Sequence, residues 1–136
     1  MMKLNPYLTF NGDAREALEH YSSVLGGEPQ INTFDQFGDP PEGVDPKGVM
    51  HAVLDTDAGF TLMVSDNAPG APEVSGDNIS ISISGDDAET MRGYFEGLSD
   101  GGTVAVPLEK QMWGDEFGMV SDRFGINWMV NIAGGK

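Results

Sequence analysis

The chain contains no cysteine, only two histidines and only seven lysines and arginines among its 136 residues. The missing thiols exclude disulfides, cysteine nucleophiles and zinc–thiolate sites together. With 22 acids against 7 bases the net charge is −15. Such a surface repels nucleic-acid phosphate and anionic lipid, so neither is an expected partner. No apolar run approaches the length of a membrane span. The opening Met1-Met2-Lys3-Leu4-Asn5-Pro6-Tyr7 has neither the apolar stretch nor the small-residue cleavage site of a secretory signal. A cytoplasmic location is the expectation. A glycine-rich nucleotide-type loop is also missing, and no histidine is placed to activate Ser80, Ser82 or Ser84 as a nucleophile.

What the chain does have is internal repetition. Asn5, Leu8, Phe10, Gly12, Asp13, Glu16, Leu18, Tyr21 and Leu25 each have a like residue 73 positions on, at Asn78, Ile81, Ile83, Gly85, Asp86, Glu89, Met91, Tyr94 and Leu98. A second match at a spacing of 66 joins Gly59, Leu62, Met63 and Val64 to Gly125, Trp128, Met129 and Val130. The seven residues lost between the two spacings fall in a loop after the second strand. Two copies of one unit are the simplest account, and a hydrophobic content of 39% supplies a core for them.

Each copy reads as βαβββ. In the first, Lys3 to Phe10 is a strand, with Leu4, Leu8 and Phe10 on one face. Residues 13–25 form an amphipathic helix, opened by Asp13 and Glu16 at capping-box spacing and stopped by Gly26-Gly27. Residues 28–37 read as a second strand, and Gly38 to Gly48, with three prolines, as a loop. Val49 to Asp55 and Phe60 to Val64 are the third and fourth strands, and Asn67 to Asp77 is the linker. In the second copy, Asn78 to Ser84 is a strand and Asp86 with Glu89 opens a helix bearing Met91, Tyr94, Phe95 and Leu98. Thr103 to Trp113, Glu116 to Ser121 and Asn127 to Ile132 are the last three strands.

The duplication, together with Asn11-Gly12-Asp13-Ala14 before the first helix and Leu25-Gly26-Gly27 after it, resembles the vicinal oxygen chelate (VOC) superfamily. That superfamily includes glyoxalase I, fosfomycin-resistance enzymes, extradiol dioxygenases and bleomycin-resistance proteins. Trp113-Gly114, Gly118, Asp122, Phe124-Gly125 and Trp128, with His51 and Leu62-Met63-Val64-Ser65-Asp66, are similar to its PhnB-like branch. The resemblance implies an α+β fold of one VOC-type domain over residues 1–136, with module one at 1–66, a linker at 67–77 and module two at 78–136. The two tandem βαβββ modules would form a curved mixed sheet around a concave pocket. It also implies a homodimer. The superfamily's usual divalent-metal ligands, carried onto this chain, fall on Asn5, Asn78, Met63 and Met129. None supplies an imidazole or a carboxylate, so no metal and no cofactor is expected there.

The candidate ligand-binding residues are His51, Asp66, Gln111 and Trp113. His51 in the third strand is suited to act as base, hydrogen-bond donor or lone ligand, against the plainer reading of a hydrogen-bonded strand histidine. Asp66 is the nearest acid after Met63. Gln111 and Trp113, two apart on one expected strand, would share a face as an amide beside a stacking surface; the plainer reading puts Trp113 in the core. Trp128 reads as core, His20 as a solvated helix residue, and Asp122-Arg123-Phe124-Gly125 as a turn. No residue is assigned a catalytic role. The reading that follows is a metal-independent small-molecule-binding protein whose substrate the residues do not specify. The alternatives are a glyoxalase- or dioxygenase-type lyase or oxidoreductase with a non-standard site, and sequestration of a cationic antibiotic, as in bleomycin resistance.

Overall fold

The computed structural model describes residues 2–40, 42–67, 76 and 78–134. The chain divides into two compact units, Met1–Val74 and Ser75–Lys136. The expected linker falls almost wholly outside the described residues.

Unit one comprises β1 (Tyr7–Phe10), α1 (Ala14–Leu25), β2 (Pro29–Thr33), a 3₁₀ turn (Phe34–Phe37), β3 (Val49–Asp55) and β4 (Thr61–Asp66). Its sheet runs in the order β1-β4-β3-β2, with β1 parallel to β4 and the other pairs antiparallel. Unit two repeats the plan with β5 (Ser80–Gly85), α2 (Ala88–Ser99), β6 (Thr103–Lys110), β7 (Glu116–Ser121) and β8 (Asn127–Ile132), in the order β5-β8-β7-β6. This is an α+β fold of two repeated modules, as the sequence repeat requires.

One helix covers one face of each sheet. Ala14, Ala17, Leu18, Tyr21 and Leu25 on α1 are buried, as are Ala52, Leu54, Leu62 and Val64 on the strands. In unit two, Met91, Phe95 and Leu98 of α2 are buried with Val120, Trp128, Val130 and Ile132. Each Val, Leu, Ile, Met or Phe among them contributes about 1.5–3 kcal/mol on burial, and each alanine less. Side chains alternate across a strand, so the intervening residues, among them His51 and Met63 in unit one and Met119 and Met129 in unit two, lie on the face without a helix.

Local chemistry moves several boundaries from their expected positions. β1 begins at Tyr7 rather than Lys3, leaving Met2 and Leu4 98% and 100% exposed. Pro6 has no N–H for the ladder and contributes only its carbonyl, which accepts from the Met63 N–H. β2 ends at Thr33, because the Phe34 and Asp35 N–H groups turn to the carbonyls of Gly48 and Pro46. Asp13 makes no side-chain cap; the Ala14 N–H is met instead by Asp66 Oδ1 from the end of β4. On α2 the capping residue is Asp87, not Asp86, its carboxylate accepting from the Thr90 N–H and hydroxyl. Gly27 is needed where α1 returns to the sheet: its φ is +88°, and a Cβ would lie 2.1 Å from the Asp55 carbonyl oxygen.

The two parallel pairings differ in register. Tyr7 stands opposite Met63, whereas Ser82 stands opposite Met129. The 73-residue match equates Tyr7 with Ser80, so the first strand of unit two is slid by two residues against its neighbour. A slip of two keeps every side chain on its own face and changes only its partners.

Candidate functional site

The open face of unit one carries the candidate chemistry. In register across the sheet lie Tyr7, Met63, Val53 and Gln30, with Thr9 opposite Ser65 and Asn32 opposite His51 in the adjoining row. β4 separates Tyr7 from His51, yet their side chains meet over it. The Tyr7 hydroxyl lies 3.0 Å from His51 Nδ1, with ring centroids 5.7 Å apart. A phenol is a stronger acid than a neutral imidazole N–H, so the hydroxyl is the better donor in this pair. With Tyr7 donating to Nδ1, a neutral His51 would carry its proton on Nε2, which is then the donor of the pair. Tyr7 is the partner that sequence reading missed. Its signal was its parity: Tyr7 and Thr9 alternate with the core-facing Leu8 and Phe10.

Asp66 is half-buried at the end of β4, and both its oxygens are engaged. Oδ1 accepts from the Ala14 N–H and Oδ2 from the Val49 N–H, each at 2.9 Å. These bonds fasten the helix start and the β3 start to one carboxylate, beside a helix N-terminus that favours negative charge.

Gln111 and Trp113 do not share a strand face as expected. β6 ends at Lys110, and residues 111–115 form a tight hairpin turn closed by Gln111 N–H to the Asp115 carbonyl (2.7 Å) and Gly114 N–H to the Gln111 carbonyl (3.0 Å). The Gly114 φ of +101° fits that reversal. Gln111 Nε2 is spent on the Glu109 carbonyl at 2.8 Å. Trp113 is 60% exposed and so is not a core residue; its indole lies 6.3 Å from the Phe117 ring at an interplanar angle of 59°. At the foot of the hairpin, Asn131 and the Gly134 N–H donate to Asp115 and hold its carboxyl below its ordinary range.

Trp128 is core, 1% exposed, with Nε1 donating to Asp122 Oδ2 at 2.9 Å. Asp122 Oδ1 also accepts from the N–H groups of Phe124 and Ile126, so the turn is organised around a buried carboxylate. Arg123 of the same turn pairs with Asp100. His20 is half-buried rather than solvated, with its ring 6.1 Å from that of Tyr21.

The positions onto which the superfamily's metal ligands carry do not suit a hard divalent ion. Met63 and Met129 present thioethers on the open faces, and their partners in the parallel strands are Tyr7 and Ser82. Among the described residues, no three His, Asp or Glu side chains converge into a ligand cage.

Comparison with known proteins agrees with this architecture. The family model described as 3-demethylubiquinone-9 3-methyltransferase matches residues 2–131. A solved structure of protein PA1353 from Pseudomonas aeruginosa is 40% identical, with a TM-score of 0.83 over 99% of this chain and 100% of that one. A PhnB protein from Bacillus cereus, titled a putative methyltransferase of the same description, is 22% identical with a TM-score of 0.78 over 97% and 100%. A glyoxylase/bleomycin resistance protein/dioxygenase domain from Frankia shares the fold at 12% identity, TM-score 0.67, over 98% of each chain. The chain belongs to the family described as 3-demethylubiquinone-9 3-methyltransferase, and it shares its fold with the glyoxylase/bleomycin resistance protein/dioxygenase domain.

Proposed function

We propose that this protein binds a small organic molecule, that His51 orients it and that no hard divalent ion takes part. The observation that carries this reading is the Tyr7–His51 contact on the open face of unit one. A histidine held by a phenol over the apolar floor of Met63 and Val53 is a pre-oriented donor in a setting that also rewards apolar contact. The ligand it suits carries an oxygen acceptor beside an apolar body. In unit two, Trp113 separately offers an exposed indole on which a ligand can stack. Each has a support in its own unit: Gln111 holds the hairpin that carries Trp113, and Asp66 fixes the starts of α1 and β3 in the unit that carries His51.

Screening by ligand-observed NMR against small neutral carbonyl and phenolic compounds tests the reading. Hits should lose roughly tenfold in affinity on His51→Gln, the value of one hydrogen bond to a partly desolvated donor. Hits indifferent to His51, or a stoichiometric divalent ion lost on changing Asn5 or Asn78, would defeat it. The methyltransferase description finds no counterpart in a cofactor loop of this sequence.

The protein also acts, on this reading, as a cytoplasmic homodimer. Support comes from the superfamily resemblance and from the exposed Met2, Leu4 and Ile79, apolar surface that self-association would cover. Among the described residues no helix is long and apolar enough to cross a membrane. Sedimentation that finds only a 14.5 kDa species at micromolar concentration would remove the dimer.

A further inference from the structure

We propose that the β6–β7 hairpin is a subsite for a small organic cation, held against the Trp113–Phe117 ring pair by the Glu109 carboxylate. The inference rests on the reading of Trp113 as a stacking surface and adds the charge of what it stacks against.

Phe117 is the centre of the arrangement. On one side its ring meets the tilted indole of Trp113, most of whose surface is open. On the other, Glu109 is its register partner on β6. Residues directly opposite in an antiparallel pair put their side chains on the same face, with Cβ atoms about 5 Å apart. One acid and two rings therefore border one patch.

The charges around Glu109 leave it available. Its carboxylate makes no hydrogen bond or ion pair among the described residues; Gln111 bonds only its backbone carbonyl. Lys110 is next in sequence and so lies on the other face, where its register partner is Glu116, itself held by Arg92. Asp115 is occupied by Asn131 and the Gly134 N–H.

The chemistry of the patch selects among ligands. An alkylated ammonium places methyl groups against the rings, whose faces are negative, and its charge near the carboxylate, without needing a hydrogen-bond acceptor. A bare metal cation keeps its water and gains little from rings. An anion meets both Glu109 and the field of a chain with net charge −15.

Choline and its neutral isostere 3,3-dimethylbutan-1-ol provide the test. Of the two tryptophans, Trp113 is exposed and Trp128 is buried, so emission lost on Trp113→Phe isolates the reporter. At constant ionic strength, choline should perturb Trp113 saturably and at least roughly threefold more tightly than the isostere. Glu109→Gln should erase that preference without moving the melting temperature. Equal response to both compounds, unaffected by Glu109→Gln, would overturn the cation assignment and leave the stacking surface intact. No response to either would remove the hairpin from the ligand-binding surface altogether.

Discussion

The two units share a plan and differ in what they display on it. The 66-residue match that aligns Met63 with Met129 also aligns β3 with β7, and it sets His51 against Phe117. Where unit one has Tyr7 opposite its methionine, unit two has Ser82. One open face thus holds a polar pair and the other an aromatic one, while the helix-covered faces of both bury an apolar core. Duplication has kept what each half-sheet needs to bury its helix and released the opposite face to diverge.

The covered faces differ too, and that difference carries the largest expected effects. Unit two depends on the buried Asp122, which takes hydrogen bonds from Phe124, Ile126 and Trp128. Asp122→Ala strands two backbone donors and a buried indole N–H, and should cost about 3–5 kcal/mol in urea denaturation. Asp66 in unit one is half-exposed and takes two backbone donors, so Asp66→Ala should cost only about 1–2 kcal/mol. Equal losses would mean that the two carboxylates do equivalent work.

A smaller contrast lies in the repeat itself, where Ala52 of unit one corresponds to Gly118 of unit two, again 66 residues apart. Ala52 is fully buried with its methyl accommodated. At Gly118 a Cβ would come within 2.7 Å of the Phe95 ring and 2.9 Å of the Leu108 Cα, and the latter is backbone that cannot swing away. Gly118→Ala should therefore destabilise by about 1–3 kcal/mol through overpacking. Ala52→Gly should cost about 1 kcal/mol, from lost contact and added chain freedom. A neutral Gly118→Ala would show that α2 stands further from its sheet than described.

The smallest effect concerns acid. Arg92 holds the Glu116 carboxyl below its ordinary value of 4.5, first by hydrogen bonding and then by charge attraction. A lowered carboxylate stabilises fully above its unfolded pKa and loses that contribution as pH falls through the folded one. The stability gap between the wild type and Glu116→Gln should be constant above pH 4.5 and close on further acidification. A gap that widened in acid would place the origin elsewhere.

Much of this fold was legible because repetition and periodicity report burial. The Ile81-to-Ser84 alternation, the α1 stripe through Leu18, Tyr21 and Leu25, and Trp128 as core all follow from which face meets a helix, although Ile79, read into the same strand, lies before it and is exposed. What was not legible depended on single bonds between distant segments. Asp13 had the spacing to cap α1, but Asp66, brought in by the β1–β4 pairing, bonds the Ala14 N–H in its place. Thr103 to Trp113 read as one strand because nothing in Gln111-Met112-Trp113 breaks a β pattern; Gly114 and the Asp115 carbonyl close the hairpin earlier. At the candidate site, His51 was visible as one of only two histidines. Tyr7 was not, because its contact crosses an intervening strand.

The central claim is that Tyr7 makes His51 a donor through Nε2. It is tested most directly by the imidazole nitrogen-15 shifts of His51 near neutral pH, resolved from His20 by a His20→Gln background. Wild-type protein should show a protonated Nε2 and a hydrogen-bonded, unprotonated Nδ1, and Tyr7→Phe should move the Nδ1 resonance toward that of a free ring. A proton on Nδ1 in the wild type, or no response to Tyr7→Phe, would contradict the account.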